Sequence, residues 1–346
     1  MRFGGVHKVK LNKIFSSNMV FSVGKNILIY GEGEGNAEIS FAGKKRAVTS
    51  CGERWLTEFP PMEYGGPYEL VFSSEDETVK LTNIYIGAVY LFAGQSNMQF
   101  ALKSSSTDTS SYVSNSKLRL CDIKWQDSSG RYKWQECEKE KIGDWSAIAY
   151  HAGVKISLEK NIAVGIITCT MGASVIESWV PKGTFEKIGI KIPEKEKYLD
   201  HTHEEYRVWN RDGFLYSKTL LNVIPFPVMA VVWYQGESDA SIEEGKVYLK
   251  ELTALINTWR SDFGDAELPF IVVQIADYFL RDIEAWKLIQ RAQFEIQSVI
   301  KNVKTVISAD VCENDDIHPK TKDKLSERIA ETLQNFSDRY ILKTDN

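Results

Sequence analysis

An α/β fold is predicted for this chain, with a parallel sheet flanked by helices and a small β-sandwich ahead of it. Two changes of pattern carry the prediction. Up to about Asn83 the apolar runs are short and β-rich, at residues 27–30, 37–41, 68–72 and 79–81, with Gly/Asn/Ser-rich turns between them. From Ile84 onward, strand-length apolar runs alternate with segments of helical period, as in a parallel sheet. A length of 346 residues fits one large or two ordinary domains. The change of pattern divides them into residues 1–83 and residues 84–346.

The elements follow in order. Gly31-Glu32-Gly33-Glu34-Gly35-Asn36 reads as a β-turn; no lysine or helix follows it, so it is not a phosphate loop. Residues 84–92 read as a buried strand that runs into Gly94-Gln95-Ser96-Asn97-Met98. Residues 107–136 are polar, with Ser and Asp clusters, and read as a long excursion or mobile loop. A second strand, 162–168, precedes Gly172, and a Lys/Glu-rich insertion occupies residues 184–209. A third strand, 228–234, leads into Gln235-Gly236-Glu237-Ser238. Tyr248, Leu252, Leu255 and Trp259 recur at helical spacing, as do Ala285, Ile289, Ala292 and Ile296; each set gives one apolar stripe for a sheet face. A last strand, 303–308, precedes Asp315-Asp316-Ile317-His318-Pro319.

In an open α/β sheet the strand C-termini line one crevice, so polar groups that follow these strands can converge from distant positions. A serine in a Gly-x-Ser turn at a strand end has an exposed hydroxyl and free backbone N–H groups around it, which is what a nucleophilic serine needs. Met98 stands where a Gly-x-Ser-x-Gly elbow has its second glycine, so Ser96 is not on that elbow. Among His7, His151, His201, His203 and His318, the last is the best base, because it follows a strand and lies in a polar loop before a helix.

At these residues the chain resembles the SGNH-type carbohydrate esterases, specifically the sialate O-acetylesterase family. Asn18-Met19-Val20, Gly65 to Leu70 and Gly87-Ala88-Val89-Tyr90 resemble the family's N-terminal part. Gly94 to Met98 match its nucleophile motif, and Ile176-Glu177-Ser178-Trp179 resemble the stretch after its oxyanion glycine. Trp233 to Ser238 match its Trp-Tyr-Gln-Gly-Glu-Ser block. Pro269-Phe270, Val273-Gln274 and Arg291-Ala292-Gln293 resemble later positions, and Asp316 to Pro319 match the terminal histidine motif. The chain departs from the family at Phe92 and Ala93, where Cys-Ser is common, at Val175, where proline is frequent, and at Asp239, where Asn is usual.

The resemblance implies a three-layer α/β/α catalytic domain of SGNH type and a cofactor-free serine esterase that removes O-acetyl groups from a carbohydrate, with 9-O-acetyl sialic acid as the candidate substrate. Ser96 is then the nucleophile and His318 the base. The Ser96 and Gly172 N–H groups and the Gln235 side-chain amide form the oxyanion hole. Asp315, three residues before His318, has the spacing of many SGNH enzymes, whereas Asp316 has the Asp-Ile-His-Pro form of the sialate esterases. Both stay open, with a lean to Asp315, whose spacing folds a carboxylate back onto the ring. Glu177 and Glu237 read as buried structural acceptors. For an anionic sugar, Arg207 and Arg211 are the candidate cations, since an unpaired buried charge is costly. Trp179, Trp233 and Tyr234 serve either sugar stacking or the core. The alternatives are an acetylxylan or other polysaccharide acetylesterase, and a non-catalytic glycan-binding protein on the same fold.

Composition narrows the classes. A net charge of −5 leaves no basic footprint for nucleic acid, and no apolar run approaches a membrane span. Residues 1–13 have basic residues but no apolar core or small-residue cleavage site, so a cytoplasmic protein is expected. The five cysteines, Cys51, Cys121, Cys137, Cys169 and Cys312, are odd in number and lack a CxxC, which favours reduced thiols; Cys121 and Cys137 could pair in an exported protein. His201-Thr202-His203-Glu204 invites a metal reading, but such pairs are usually solvated, and no metal is expected. Ser157-Leu158-Glu159-Lys160 fits Ser-x-x-Lys only formally, within a helical stretch.

Overall fold

The carboxyl ends of six parallel strands make the platform of this protein. The structure, a computed structural model, describes residues 8–128, 130–191 and 206–344. The strands are β1 (Lys10–Leu11), β2 (Val20–Ser22), β3 (Ile27–Phe41), β4 (Lys44–Phe59), β5 (Gly65–Ser74), β6 (Thr78–Gly94), β7 (Asn115–Asp122), β8 (Trp134–Cys137), β9 (Val164–Thr170), β10 (Ala230–Tyr234), β11 (Phe270–Val273) and β12 (Val303–Val306). The helices are α1 (Ser96–Gln99), α2 (Ala147–Lys160), α3 (Thr184–Lys187), α4 (Tyr206–Trp209), α5 (Phe214–Lys218), α6 (Ile242–Asp262), α7 (Ile283–Val299) and α8 (Asp323–Thr344).

The parallel sheet runs in the order β7-β9-β6-β10-β11-β12, with β8 antiparallel on the β7 edge. The first half of β6 pairs with β5 and β2 and its second half with β9 and β10, so one continuous strand carries the N-terminal ladder into the parallel sheet. The change of pattern at 83/84 therefore falls inside β6, not in a linker.

β9 is buried at all but its last position, and β10 and β11 throughout, which requires cover on both faces. Tyr90 pairs in register with Ala230, so Trp233, three residues on, points to the opposite face from Tyr90. The Tyr90 hydroxyl meets Ser337 Oγ of α8 at 2.9 Å. Trp233 packs edge-on against Trp259 of α6 and against Trp179, at 5.6 and 5.8 Å between ring centroids. The two helical stripes read from the sequence lie on α6 and α7, with Tyr248, Leu252, Leu255, Trp259, Ala285, Ile289, Ala292 and Ile296 all buried.

Several expectations are corrected. Residues 31–36 are not a turn; they lie inside β3, which pairs with β4 along its whole length around a bulge at Glu32/Gly33. Close packing explains the glycine there: a Cβ on Gly31 would sit 1.9 Å from the Lys10 carbonyl oxygen and 2.7 Å from the Trp55 ring. Residues 107–136 are not a structureless excursion, because they supply β7 and β8. Arg119 hides this strand by placing a charge amid its apolar residues. It is buried, pairs with Glu136 at 3.2 Å and lies 4.3 Å from the Tyr85 ring centre. All five cysteines are free; Cys121 and Cys137 lie on separate strands, opposite Trp134 and Asn115. No helix among the described residues is long and apolar enough to cross a membrane.

Trp233 is thus the hinge of a three-tryptophan cluster between the sheet and α6. Trp233→Ala should lower the unfolding free energy by about 3–5 kcal/mol, read as a shift of the urea midpoint at constant m-value.

Candidate active site

Gly94 ends β6 with φ +138°, and a Cβ there would lie 2.0 Å from the Tyr234 carbonyl oxygen. Only glycine lets β10 approach so closely, and the same carbonyl accepts the Gln95 N–H at 3.0 Å. The chain then turns into α1, with Ser96 as its first residue. The flanking amides point inward and are buried. Gln95 Oε1 accepts from the N–H groups of Gly236 and Ser238 at 3.1 and 3.3 Å. Asn97 Nδ2 donates to Glu237 at 2.6 Å and to the Ile317 carbonyl at 2.9 Å, while its Oδ1 accepts from Lys322 Nζ at 2.7 Å.

These clamps bring the end of β6, the segment after β10 and the loop after β12 together. His318 Nε2 lies 2.8 Å from Ser96 Oγ, across 222 residues of sequence. Phe100 stacks on the imidazole at 6.3 Å between ring centres. Burial pushes the His318 imidazole below its ordinary value; the Asp316 charge opposes this and the Lys322 charge adds to it. A neutral imidazole beside a serine hydroxyl can accept its proton.

The two candidate acids are placed differently. Asp316 Oδ1 accepts the His318 backbone N–H at 2.8 Å, and its charge acts on the ring. Asp315 is exposed and has no hydrogen-bond or ion-pair partner among the described residues, so the lean towards it is not supported by its placement. The Asp-Ile-His segment forms a tight side-chain turn, and this brings the nearer carboxylate back to the histidine. No carboxylate among the described residues accepts a hydrogen bond from His318 Nδ1.

Gly172 lies beside the serine: a Cβ on it would be 3.6 Å from Ser96 Cβ. Its N–H donates to Gln99 Oε1 at 2.9 Å, so an exposed carboxamide occupies this donor. Gln235 is placed otherwise than expected. It is fully buried, and its two N–H groups go to the Ser174 carbonyl, at 2.9 Å, and to the Asp239 carboxylate. Its Oε1 accepts from the Tyr248 hydroxyl at 2.8 Å. An amide has two donors, so none is left for an oxyanion. Asp239 itself is buried and also accepts the Ile176 N–H at 3.2 Å, so its charge serves this inner network.

Trp179, Trp233 and Tyr234 are wholly buried and belong to the core, out of reach of a sugar ring. Arg211 is exposed on the turn before α5. Arg207 lies in α4, and its side chain falls outside the described residues, as do His201, His203 and Glu204. A cleft of about 460 Å³ opens at the carboxyl ends of β7 and β9, lined by Gln99, Asp122, Lys124, Gln135, Lys141 and Thr170 among others.

Residues 87–335 match the family model described as "carbohydrate esterase, sialic acid-specific acetylesterase". The chain belongs to this family. The match spans Ser96, Gly172 and His318 and leaves β1–β5 outside it. The sialate O-acetylesterases of Mus musculus and Homo sapiens are 24% and 22% identical to it, each over 83% of this chain. The matches span 64% and 61% of those longer relatives. In fold, the protein is similar to a carbohydrate acetylesterase from Xanthomonas citri, with a TM-score of 0.82 and 23% identity over 95% of this chain and 75% of that one.

Within this family member, Asn97, Gln99 and Lys322 are site residues that the sequence reading did not single out. The signal for Asn97 was its place in the nucleophile motif; Lys322 is the middle of three alternating lysines after the histidine loop, Lys320, Lys322 and Lys324, and nothing in the sequence marks it out from the other two. Asn97→Ala strands Glu237 and Lys322 without the group that separates and binds both. It should cost about 3 kcal/mol of stability, checked by urea unfolding against a Ser96→Ala control.

Proposed function

We propose that this protein is a serine esterase that hydrolyses O-acetyl groups on carbohydrates, with 9-O-acetyl sialic acid as the leading substrate. The observation that carries the reading is the 2.8 Å contact between Ser96 Oγ and His318 Nε2 beside the Gly172 N–H. In this reading residues 84–346 are an SGNH-type α/β/α catalytic domain, and residues 1–83 an accessory β-sandwich.

Ser96 Oγ attacks the acetyl carbonyl carbon as its proton passes to His318 Nε2. The carbonyl oxygen becomes an oxyanion. The Ser96 and Gly172 backbone N–H groups are its donors, each able to contribute about 3 kcal/mol. Gln99 must release Gly172 for this to happen. Collapse of the tetrahedral species breaks the bond to the sugar oxygen, which takes the proton from His318. Water then attacks the acetyl-enzyme, again losing a proton to His318, and acetate leaves as Ser96 is restored. Asp316 supports the imidazolium through its charge. The polar cleft beside Gln99 suits a hydroxylated sugar better than a long acyl chain.

Acetate release from a panel of O-acetylated sugars tests the reading. Ser96→Ala should fold normally and lose about 10³-fold or more of kcat; near-normal turnover in the folded variant defeats the mechanism. Acetyl esters should be preferred to long-chain esters. Replacing Arg207 and Arg211 together should erode any preference for acetylated sialic acid over an acetylated neutral sugar. A wild-type enzyme with no such preference is an acetylesterase of neutral sugars instead.

Gln99 provides a separate check. Its carboxamide must leave the oxyanion donor during turnover, so Gln99→Ala should not lower kcat on a small acetyl ester, measured by steady-state kinetics. A loss of kcat comparable to that of Ser96→Ala would give Gln99 an active part in the chemistry.

A further inference from the structure

Behind the serine–histidine pair lies a buried lysine that the reaction does not consume. Lys322 is fully buried just before α8, four residues after His318. Its Nζ donates to Asn97 Oδ1 at 2.7 Å and lies 5.0 Å from the centre of the Phe100 ring. Both contacts lead to the site. Asn97 follows the nucleophile and holds the carbonyl of Ile317, the residue before His318. Phe100 stacks on the His318 ring itself. The ammonium therefore sits behind the imidazole, joined to it by one amide and one aromatic ring.

We propose that Lys322 is a positioning residue of the Ser96–His318 pair, which fixes the histidine loop to the nucleophile turn through Asn97 and presents a positive charge to the imidazole. The proposal rests on the esterase reading. A buried cation is costly unless it is paired and hydrogen-bonded, and two features here compensate it. Glu237, also buried, faces Lys322 across Asn97, and the Phe100 face supplies a cation–π contact. Burial lowers Lys322 to about 8, against the opposing influence of Cys312, Glu237, Glu313 and Asp316. It remains mainly protonated at neutral pH. Burial moves His318 down, Asp316 opposes it, and the Lys322 charge adds to the lowering. The α1 segment packed against His318 contributes Ser96, Asn97 and Phe100, none of which carries a charge.

The sign follows. Removing the Lys322 charge stabilises the imidazolium, so His318 should titrate higher and the acid limb of kcat/KM should move up with it. Removing the Asp316 charge should do the reverse. A nearby unit charge shifts a partly buried group by about 0.5–1 unit.

The experiment is an NMR titration of the His318 imidazole in the full chain, with Ser96→Ala as background so that no turnover is needed. Lys322→Gln and Lys322→Met should both raise the His318 value by about 0.5–1 unit, Lys322→Arg should keep it, and Asp316→Asn should lower it. In the Ser96 enzyme the pH profile of acetyl-ester hydrolysis should shift in parallel. An unchanged titration in either folded neutral variant, Lys322→Gln or Lys322→Met, overturns the proposal. So does a loss of kcat that is uniform across pH with no movement of the limb, which is the mark of a purely structural lysine. If neither neutral variant folds while Lys322→Arg does, the part of the cation is structural and the proposal is overturned. Failure of the esterase reading would show separately, as absence of Ser96-dependent turnover with the titration shifts intact.

Discussion

Asn97 spends its whole carboxamide on three different parts of the chain. One N–H goes to Glu237 after β10, the other to the Ile317 carbonyl in the histidine loop, and the oxygen to Lys322 before α8. A carboxamide has two donors and an acceptor oxygen, so all three directions are used. It is buried, which makes each of these bonds expensive to lose. This amide helps to hold the 2.8 Å approach of His318 to Ser96, because the two residues come from segments that share no strand pairing. The sheet supplies the common edge; the amide sets the distance across it.

The sheet order explains why the residues come from where they do. β6 is central, with β9 and β10 as its neighbours, so the segments after those three strands meet side by side. Ser96 follows β6, Gly172 follows β9 and the Gln235–Ser238 block follows β10. The last strand, β12, is two places further out, beyond β11. Its loop must reach back to the centre, and the Asn97 and Phe100 contacts to Ile317, His318 and Lys322 hold it there.

What the sequence made legible follows from the kind of force involved. The buried strands of the parallel sheet are continuous apolar runs, and the stripes on α6 and α7 recur at helical spacing, so both announce themselves locally. β7 did not, because Arg119 interrupts its pattern and is accommodated only by Glu136 and Tyr85 from other strands. The length of β3 was hidden for a similar reason: its glycines look like a turn until the Trp55 ring and the Lys10 carbonyl that press on Gly31 are known. At the site, Ser96, Gly172 and His318 could be named from the turn chemistry and the family motifs. The partners of Gln235 could not, since an amide reads the same whether it faces a substrate or, as here, the Ser174 carbonyl and Asp239.

That last point bears on how the site is divided. The nucleophile motif contributes two buried amides, Gln95 and Asn97 on either side of Ser96, and the block after β10 contributes a third, Gln235. All three are committed to inner hydrogen bonds, and each ties a carboxylate or a run of backbone donors to the sheet edge. Gln99 faces outward instead, and it holds Gly172 through an exchangeable contact at the surface. The inner amides therefore fix the positions of the reacting groups. The outer one is free to yield its donor to another acceptor, and a tetrahedral oxyanion, charged where Gln99 is neutral, makes the stronger claim on that N–H.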